Sequence, residues 1–66
     1  MIVKLNEIPH EVAEGVTLEM FIESLDIQIQ GIAIAINYEV ISKINWSKTT
    51  LKDGMSLILI HAVSGG

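Results

Sequence analysis

The sequence predicts a two-layer α+β domain in which a single helix packs on one face of a mixed β-sheet. Three observations lead to this prediction. Short segments that alternate apolar and polar residues occur on both sides of one segment with helical periodicity. That segment is the sole convincing amphipathic helix, so only one face of the sheet can be covered. The chain has 66 residues, half of them hydrophobic, which suits one small domain.

The first two strands are predicted near the N-terminus. The stretch "MIVKL" alternates, so that Val3 and Leu5 share one side. Ile2 and Lys4 then share the other side. The pair "NE" offers a turn, and "PHEVA" can return as the second strand, with Pro9 at its start, where a missing N–H matters least.

The helix is predicted to begin at the point where the apolar spacing changes from two to three or four. Its apolar residues fall at i, i+3, i+4 and i+7, which places them on one stripe: Leu18, Phe21, Ile22 and Leu25. Thr17 is suited to the N-cap position, because its hydroxyl can accept a hydrogen bond from a free N–H of the first turn.

The C-terminal half is predicted to supply three further strands. They are "IAIAI" (32–36), the short "VIS", and "SLILIHAV" (56–63) after the tight-turn signal Asp-Gly. The segment 43–50 between them reads as irregular, with Trp46 as a lid on the core. We expect the first and last strands to pair in parallel at the centre, because the helix-containing connection provides the crossover.

Composition excludes several classes of function. The net charge is −4, and the four basic residues are all lysines, so nucleic-acid binding is not expected. The first 33 residues carry six acidic residues and one lysine; this half is either a solvated face or a docking face for a basic partner. There is no signal-peptide pattern and no apolar run long enough to span a membrane, which predicts a cytoplasmic protein with no membrane partner.

The side chains offer no catalytic site. His10 and His61 are too few and too isolated for a metal site, and no serine has a recognisable His–Asp arrangement around it. The chain contains no cysteine, so it cannot carry sulfur on a side-chain thiolate. We therefore predict a protein that is not an enzyme and that binds no metal or cofactor itself.

One face of the predicted sheet is unexpectedly apolar. In the last strand Leu57 and Leu59 alternate inward, which leaves neighbouring aliphatic side chains on the outside. Contiguous exposed apolar patches usually mark interaction sites. The predicted partner-binding patch consists of Ile58, Ile60, Ala62, Ile2, Ala33 and Ala35.

The sequence ends in "SGG", which we interpret as a flexible tail (64–66) on a folded domain (1–63). Gly65 and Gly66 are poor structural material, but without Cβ atoms they could enter a narrow active site, with Ser64 leading into it. A terminal carboxylate is an anion at neutral pH. It could attack the α-phosphate of ATP to give an acyl-adenylate, which a sulfur nucleophile could displace.

Several segments in register resemble the ThiS family of ubiquitin-like sulfur carriers of thiamine (thiazole) biosynthesis. They are "EGVTL", "GIAIAIN", "VISKINW" and "LKDGMSLILIHAVSGG". The resemblance covers the whole chain without an insertion. It implies a ubiquitin-like β-grasp fold, with a mixed four- to five-stranded sheet and one main helix on one face.

The same resemblance implies the chemistry of the tail. A ThiF-like adenylyltransferase, using ATP and magnesium, would adenylate the carboxylate of Gly66. Sulfur from a cysteine desulfurase relay would convert it to a thiocarboxylate, which would donate sulfur to thiazole synthase. Gly65 and Gly66 match the family's tail, and Ile58 and Ile60 match the apolar outer face that related carriers press against their partners.

Two alternatives remain open at this point. A MoaD-like small subunit of molybdopterin synthase would share the fold and the tail chemistry, although such chains are usually longer. A ubiquitin-like interaction domain would share the fold but have an inert tail.

Overall fold

The computed structural model describes residues 1–27 and 30–61. In chain order the elements are β1 (Ile2–Leu5), β2 (Ile8–Glu11), α1 (Leu18–Ser24), β3 (Ile32–Ile36), β4 (Glu39–Ile41), a 3₁₀-helix (Lys43–Lys48) and β5 (Ser56–His61). The five strands form one sheet in the order β2-β1-β5-β3-β4, in which β1 and β5 are parallel and the other neighbours antiparallel. The predicted fold class, a mixed sheet with one main helix, is therefore correct.

The helix α1 begins directly after its N-cap residue Thr17, at Leu18, the first residue of the apolar stripe. The hydroxyl of Thr17 accepts a hydrogen bond from the backbone N–H of Met20 at 3.2 Å, as expected of an N-cap residue. The buried side chains of α1 are Leu18, Phe21 and Ile22. They cover the inner face of the sheet, where the apolar residues of the central strands meet them.

The core lies between α1 and the inner face of the sheet. Its largest fully buried side chains come from three strands and the helix: Val3, Leu18, Ile22, Ile34 and Leu57. Because these residues alternate along β1, β3 and β5, the opposite parity of each strand must face outward. Burial thus shows which alternate residues of each central strand face the core and which face outward.

The segment 43–50 differs from the prediction. Residues Lys43–Lys48 form a 3₁₀-helix, and Trp46 is buried within the core cluster rather than lying over it as a lid. The indole Nε1 donates a hydrogen bond to the backbone carbonyl of Ile41 at 3.0 Å. This bond satisfies the polar atom of a buried aromatic side chain, which a tryptophan in a core requires.

Two hairpin turns have the same left-handed backbone. Asn6 and Glu7 join β1 to β2 with φ of 50° and 71°, and Asn37 and Tyr38 join β3 to β4 with φ of 52° and 69°. Two consecutive residues with positive φ are the mark of the type I′ turn, whose twist matches that of the flanking strands. Asparagine adopts this conformation more readily than most residues.

Candidate functional site

The outer face of β5 carries large aliphatic side chains that no helix of the described residues covers. Leu57 and Leu59 point to the core, whereas Ile58 and Ile60 point outward and are 38% and 44% exposed. Both isoleucines belong to the predicted partner-binding patch. They lie on β5, the six-residue strand that precedes the C-terminal segment.

The neighbouring strand β3 adds two small side chains to the same face. Ala33 lies opposite Ile60, and Ala35 lies opposite Ile58, in the antiparallel register of the two strands. Ala35 is only 5% exposed, since larger side chains flank it on both sides. The two small side chains therefore lie lower than the neighbouring isoleucines of β5.

Val40 also belongs to this face, although the predicted partner-binding patch did not include it. It lies opposite Ala35 in the register of β3 and β4, and it is 63% exposed. The alternation of "EVI" could have predicted this position, because Ile41 packs against the core and the preceding residue of a strand must then face outward. We call Ala33, Ala35, Val40, Ile58 and Ile60 the outer patch.

Ile2 shares the outer face but does not join the outer patch. In the parallel register Lys4 lies opposite Ser56, so Ile2 lies beside the turn that precedes β5. Two hydrogen bonds hold it there: its N–H donates to Asp53 Oδ1 at 2.8 Å, and its carbonyl accepts from the N–H of Gly54 at 2.7 Å. The polar side chains of Lys4 and Ser56 lie between Ile2 and the isoleucines of β5.

The remaining predicted site residues are Ala62, Ser64, Gly65 and Gly66, and they lie outside the described residues. The described chain ends at His61, the last residue of β5. His61 is exposed and lies at the rim of the sheet, opposite Ile32 of β3. The boundary between the predicted domain and its tail likewise falls in the part that is not described.

The described residues offer little for other chemistry. A cavity of about 210 Å³ lies at the hairpin end of the sheet, lined by Glu7, Asn37, Tyr38, Ser56, Leu57 and Ile58. This is smaller than the ~300 Å³ or more of typical small-molecule sites. Within residues 1–27 and 30–61, no three His, Cys, Asp or Glu side chains gather as metal ligands would. None of the helices in these ranges has the length and apolar character needed to cross a membrane.

Most acidic side chains lie on elements other than those that carry the outer patch. All six acidic residues of the N-terminal half are exposed, on the first turn, on β2, before α1, on α1 and directly after it: Glu7, Glu11, Glu14, Glu19, Glu23 and Asp26. The outer patch instead lies on the strands β3, β4 and β5. Two acidic residues are exceptions to this separation, since Glu39 precedes Val40 on β4 and Glu7 lines the same cavity as Ile58.

Comparison with known proteins identifies the family. The model of the ThiS family matches residues 3–66, nearly the whole chain. This chain belongs to the ThiS family. A ThiS-family chain is a sulfur carrier protein of thiamine biosynthesis, not an enzyme, and this match does not support the molybdopterin-synthase alternative.

Two relatives agree with the family match in sequence and in structure. The sulfur carrier protein ThiS of Escherichia coli (strain K12) is 29% identical over 66 residues, which cover all of both chains. The crystal structure of the thiamine biosynthesis protein (ThiS) from Geobacter metallireducens is 26% identical, with a TM-score of 0.87 and full coverage of both chains. The ThiS-like arrangement of sheet and helix is the β-grasp fold that the sequence predicted.

Proposed function

We propose that this ThiS-family carrier holds its sulfur as a thiocarboxylate on Gly66 and donates it for thiazole formation. The observation that carries the proposal is the family match, which extends through the last two glycines. A second observation supports it: the chain has no cysteine, so the sulfur cannot reside on a side-chain thiol.

The proposed chemistry begins with the carboxylate of Gly66, an anion at neutral pH. One carboxylate oxygen attacks the α-phosphate of ATP, a new O–P bond forms, and pyrophosphate leaves. A persulfide sulfur from a cysteine desulfurase relay then attacks the acyl carbon and displaces AMP. Reduction of the resulting acyl disulfide by a second thiol releases the thiocarboxylate.

The activating partner in this proposal is a ThiF-like adenylyltransferase, and the acceptor is thiazole synthase. ATP and magnesium belong to the adenylyltransferase, and this chain would supply only the attacking carboxylate. The absence of side chains on Gly65 and Gly66 would allow the carboxylate to enter a narrow site. We place these steps in the cytoplasm, where ATP and reduced thiols are available.

The outer patch is the proposed docking surface for both partners. Its three large side chains, Val40, Ile58 and Ile60, are exposed, although burying them would be favourable at about 25 cal/mol per Å² of apolar surface. They lie on the strand that leads to Gly66 and on the neighbouring hairpin. A partner that covers them would therefore receive the tail beside its contact surface.

The deciding experiment is intact-mass measurement after incubation with the adenylyltransferase, ATP, magnesium, a cysteine desulfurase and cysteine. We expect the mass increase of one oxygen replaced by sulfur, located on Gly66 by fragmentation. Omitting ATP should abolish the increase. A chain that keeps its original mass in the full mixture would contradict the proposal and favour an inert tail.

A further inference from the structure

The parallel pairing of β1 with β5 continues beyond the last residue of β1. Two backbone bonds of this ladder are regular: the N–H of Lys4 donates to the carbonyl of Met55, and that of Asn6 to the carbonyl of Leu57, both at 2.9 Å. The next donor along β5 is the N–H of Leu59. In a regular parallel ladder it would donate to the backbone carbonyl of Asn6.

The side chain of Asn6 occupies this next position in the ladder. Oδ1 of Asn6 accepts from the N–H of Leu59 at 2.8 Å, and Nδ2 donates to the carbonyl of Leu59 at 3.4 Å. Asn6 itself has φ of 50°, because the chain has already entered the hairpin turn. Its carboxamide thus replaces the missing peptide group of β1, accepting from and donating to the same residue.

This contact supports a part of β5 that β1 does not reach. On one side, β3 pairs with β5 as far as His61. On the other side, β1 pairs only as far as Leu57, and beyond it the described contact is the Asn6 carboxamide. Leu59 lies between the two isoleucines of the outer patch and two residues before the end of the described chain.

We propose that Asn6 is a positioning residue for the carrier reaction. By extending the ladder from Leu57 to Leu59, it holds the end of β5 beside the outer patch, at the point from which the chain continues to the proposed reacting carboxylate of Gly66. This role rests on the proposed function for its kinetic consequence. The effect on β5 itself does not depend on that function.

The chain provides a matched control for a test. Asn37 occupies the same first position of a type I′ turn with φ of 52°, is also exposed, and makes no side-chain hydrogen bond to any described residue. Glycine tolerates positive φ, so Asn6→Gly and Asn37→Gly remove the side chains without backbone strain. Only the first variant should affect the ladder at Leu59.

The direct measurement is amide hydrogen exchange by NMR. In Asn6→Gly we expect the amide of Leu59 to exchange about tenfold faster, since it loses its acceptor. The amide of Ile60, which points toward β3, should change less, and Asn37→Gly should leave both unchanged. Leu59 exchange equal in Asn6→Gly, Asn37→Gly and the unmodified chain would overturn the proposal.

A conservative variant tests which part of the carboxamide matters. Asn6→Asp tolerates positive φ and keeps an acceptor for the N–H of Leu59, but it loses the donor to the carbonyl. We expect an exchange rate between those of the unmodified chain and Asn6→Gly. A rate as fast as that of Asn6→Gly would contradict the assigned geometry, because the shorter bond should survive.

The kinetic arm measures the rate of adenylation with the carrier as the varied substrate. We expect Asn6→Gly to lower kcat about three- to tenfold with KM unchanged, because the outer patch still binds but the tail is less often in place. A loss of folded protein alone would raise the apparent KM instead. If Leu59 exchanges faster in Asn6→Gly but kcat is unchanged, the positioning role is overturned. If the unmodified chain is never adenylated, the proposed function is refuted, and the exchange measurement alone then tests the role of Asn6 in β5.

Discussion

At the scale of single residues, Trp46 links three parts of the molecule. Its ring is buried in the core, its backbone belongs to the 3₁₀-helix, and its indole N–H donates to the last residue of β4. The sequence indicated a large aromatic near the core but not this bond. The partner is a backbone carbonyl, which every residue possesses, so side-chain identities could not reveal it.

We predict that Trp46→Phe lowers the free energy of unfolding by about 1–3 kcal/mol. The carbonyl of Ile41 loses its donor, and the smaller ring leaves part of the indole volume empty. Urea unfolding followed by circular dichroism measures the change. Tyr38→Phe, at an exposed turn position, is the control and should unfold at the same urea concentration as the unmodified chain.

The outer patch makes a second prediction at this scale. Ile60→Asp should weaken binding to the adenylyltransferase at least about fivefold while costing about 1 kcal/mol or less of stability, because the side chain faces solvent. Ile44→Asp is the matched control: Ile44 is 80% exposed on the 3₁₀-helix, away from the outer patch. Calorimetric titration measures binding. An unfolded Ile60→Asp chain would show that the assigned inside and outside of β5 are reversed.

At the scale of elements, periodicity predicted which residues of β5 and α1 would face the core. Leu57 and Ile58 fall on opposite faces because side chains alternate along a strand, and this needs no knowledge of the neighbours. Ile2 shows the limit of such reasoning. Alternation assigned it to the correct face, but only the register of Lys4 with Ser56 shows that it lies apart from the outer patch. Register depends on contacts between distant segments, which a local pattern does not contain.

The N-terminus of α1 gives a prediction about an element. Thr17→Ala removes the acceptor for the N–H of Met20 and should destabilise the domain by about 0.5–2 kcal/mol. Thr17→Ser keeps the hydroxyl and should retain most of that stability. Thermal unfolding of the three chains measures the difference. Equal melting temperatures for Thr17→Ala and Thr17→Ser would show that the cap does not stabilise α1.

At the scale of the whole molecule, folding and proposed chemistry occupy different parts of the chain. The core uses residues as far as Leu57 and Leu59, whereas the proposed sulfur site lies at Gly66. The fold was predictable because its buried apolar residues recur at regular intervals along the strands and the helix. The terminal carboxylate alone indicated an anion that could be adenylated and displaced by a sulfur nucleophile, but the family resemblance was needed to assign this chemistry to thiazole formation.

This separation predicts that changes at the tail abolish activation without unfolding the domain. Adding one residue after Gly66, or replacing Gly66 with Val, should eliminate the mass increase of sulfur transfer, because the carboxylate is displaced or obstructed by a branched side chain. Melting temperature and circular dichroism should match the unmodified chain. Sulfur incorporation into the extended chain would contradict the assignment of the reacting carboxylate to Gly66.

The parallel orientation of β1 and β5 has a practical consequence for handling the protein. Parallel neighbours begin at the same end of a sheet, so Met1, whose amino group bonds to the carbonyl of Val12 at 3.0 Å, lies at the end where β5 starts. The six residues of β5 then run on the order of 20 Å away from it. An affinity tag, a fluorophore or a surface tether joined ahead of Met1 should therefore leave the outgoing end of the chain accessible to other proteins.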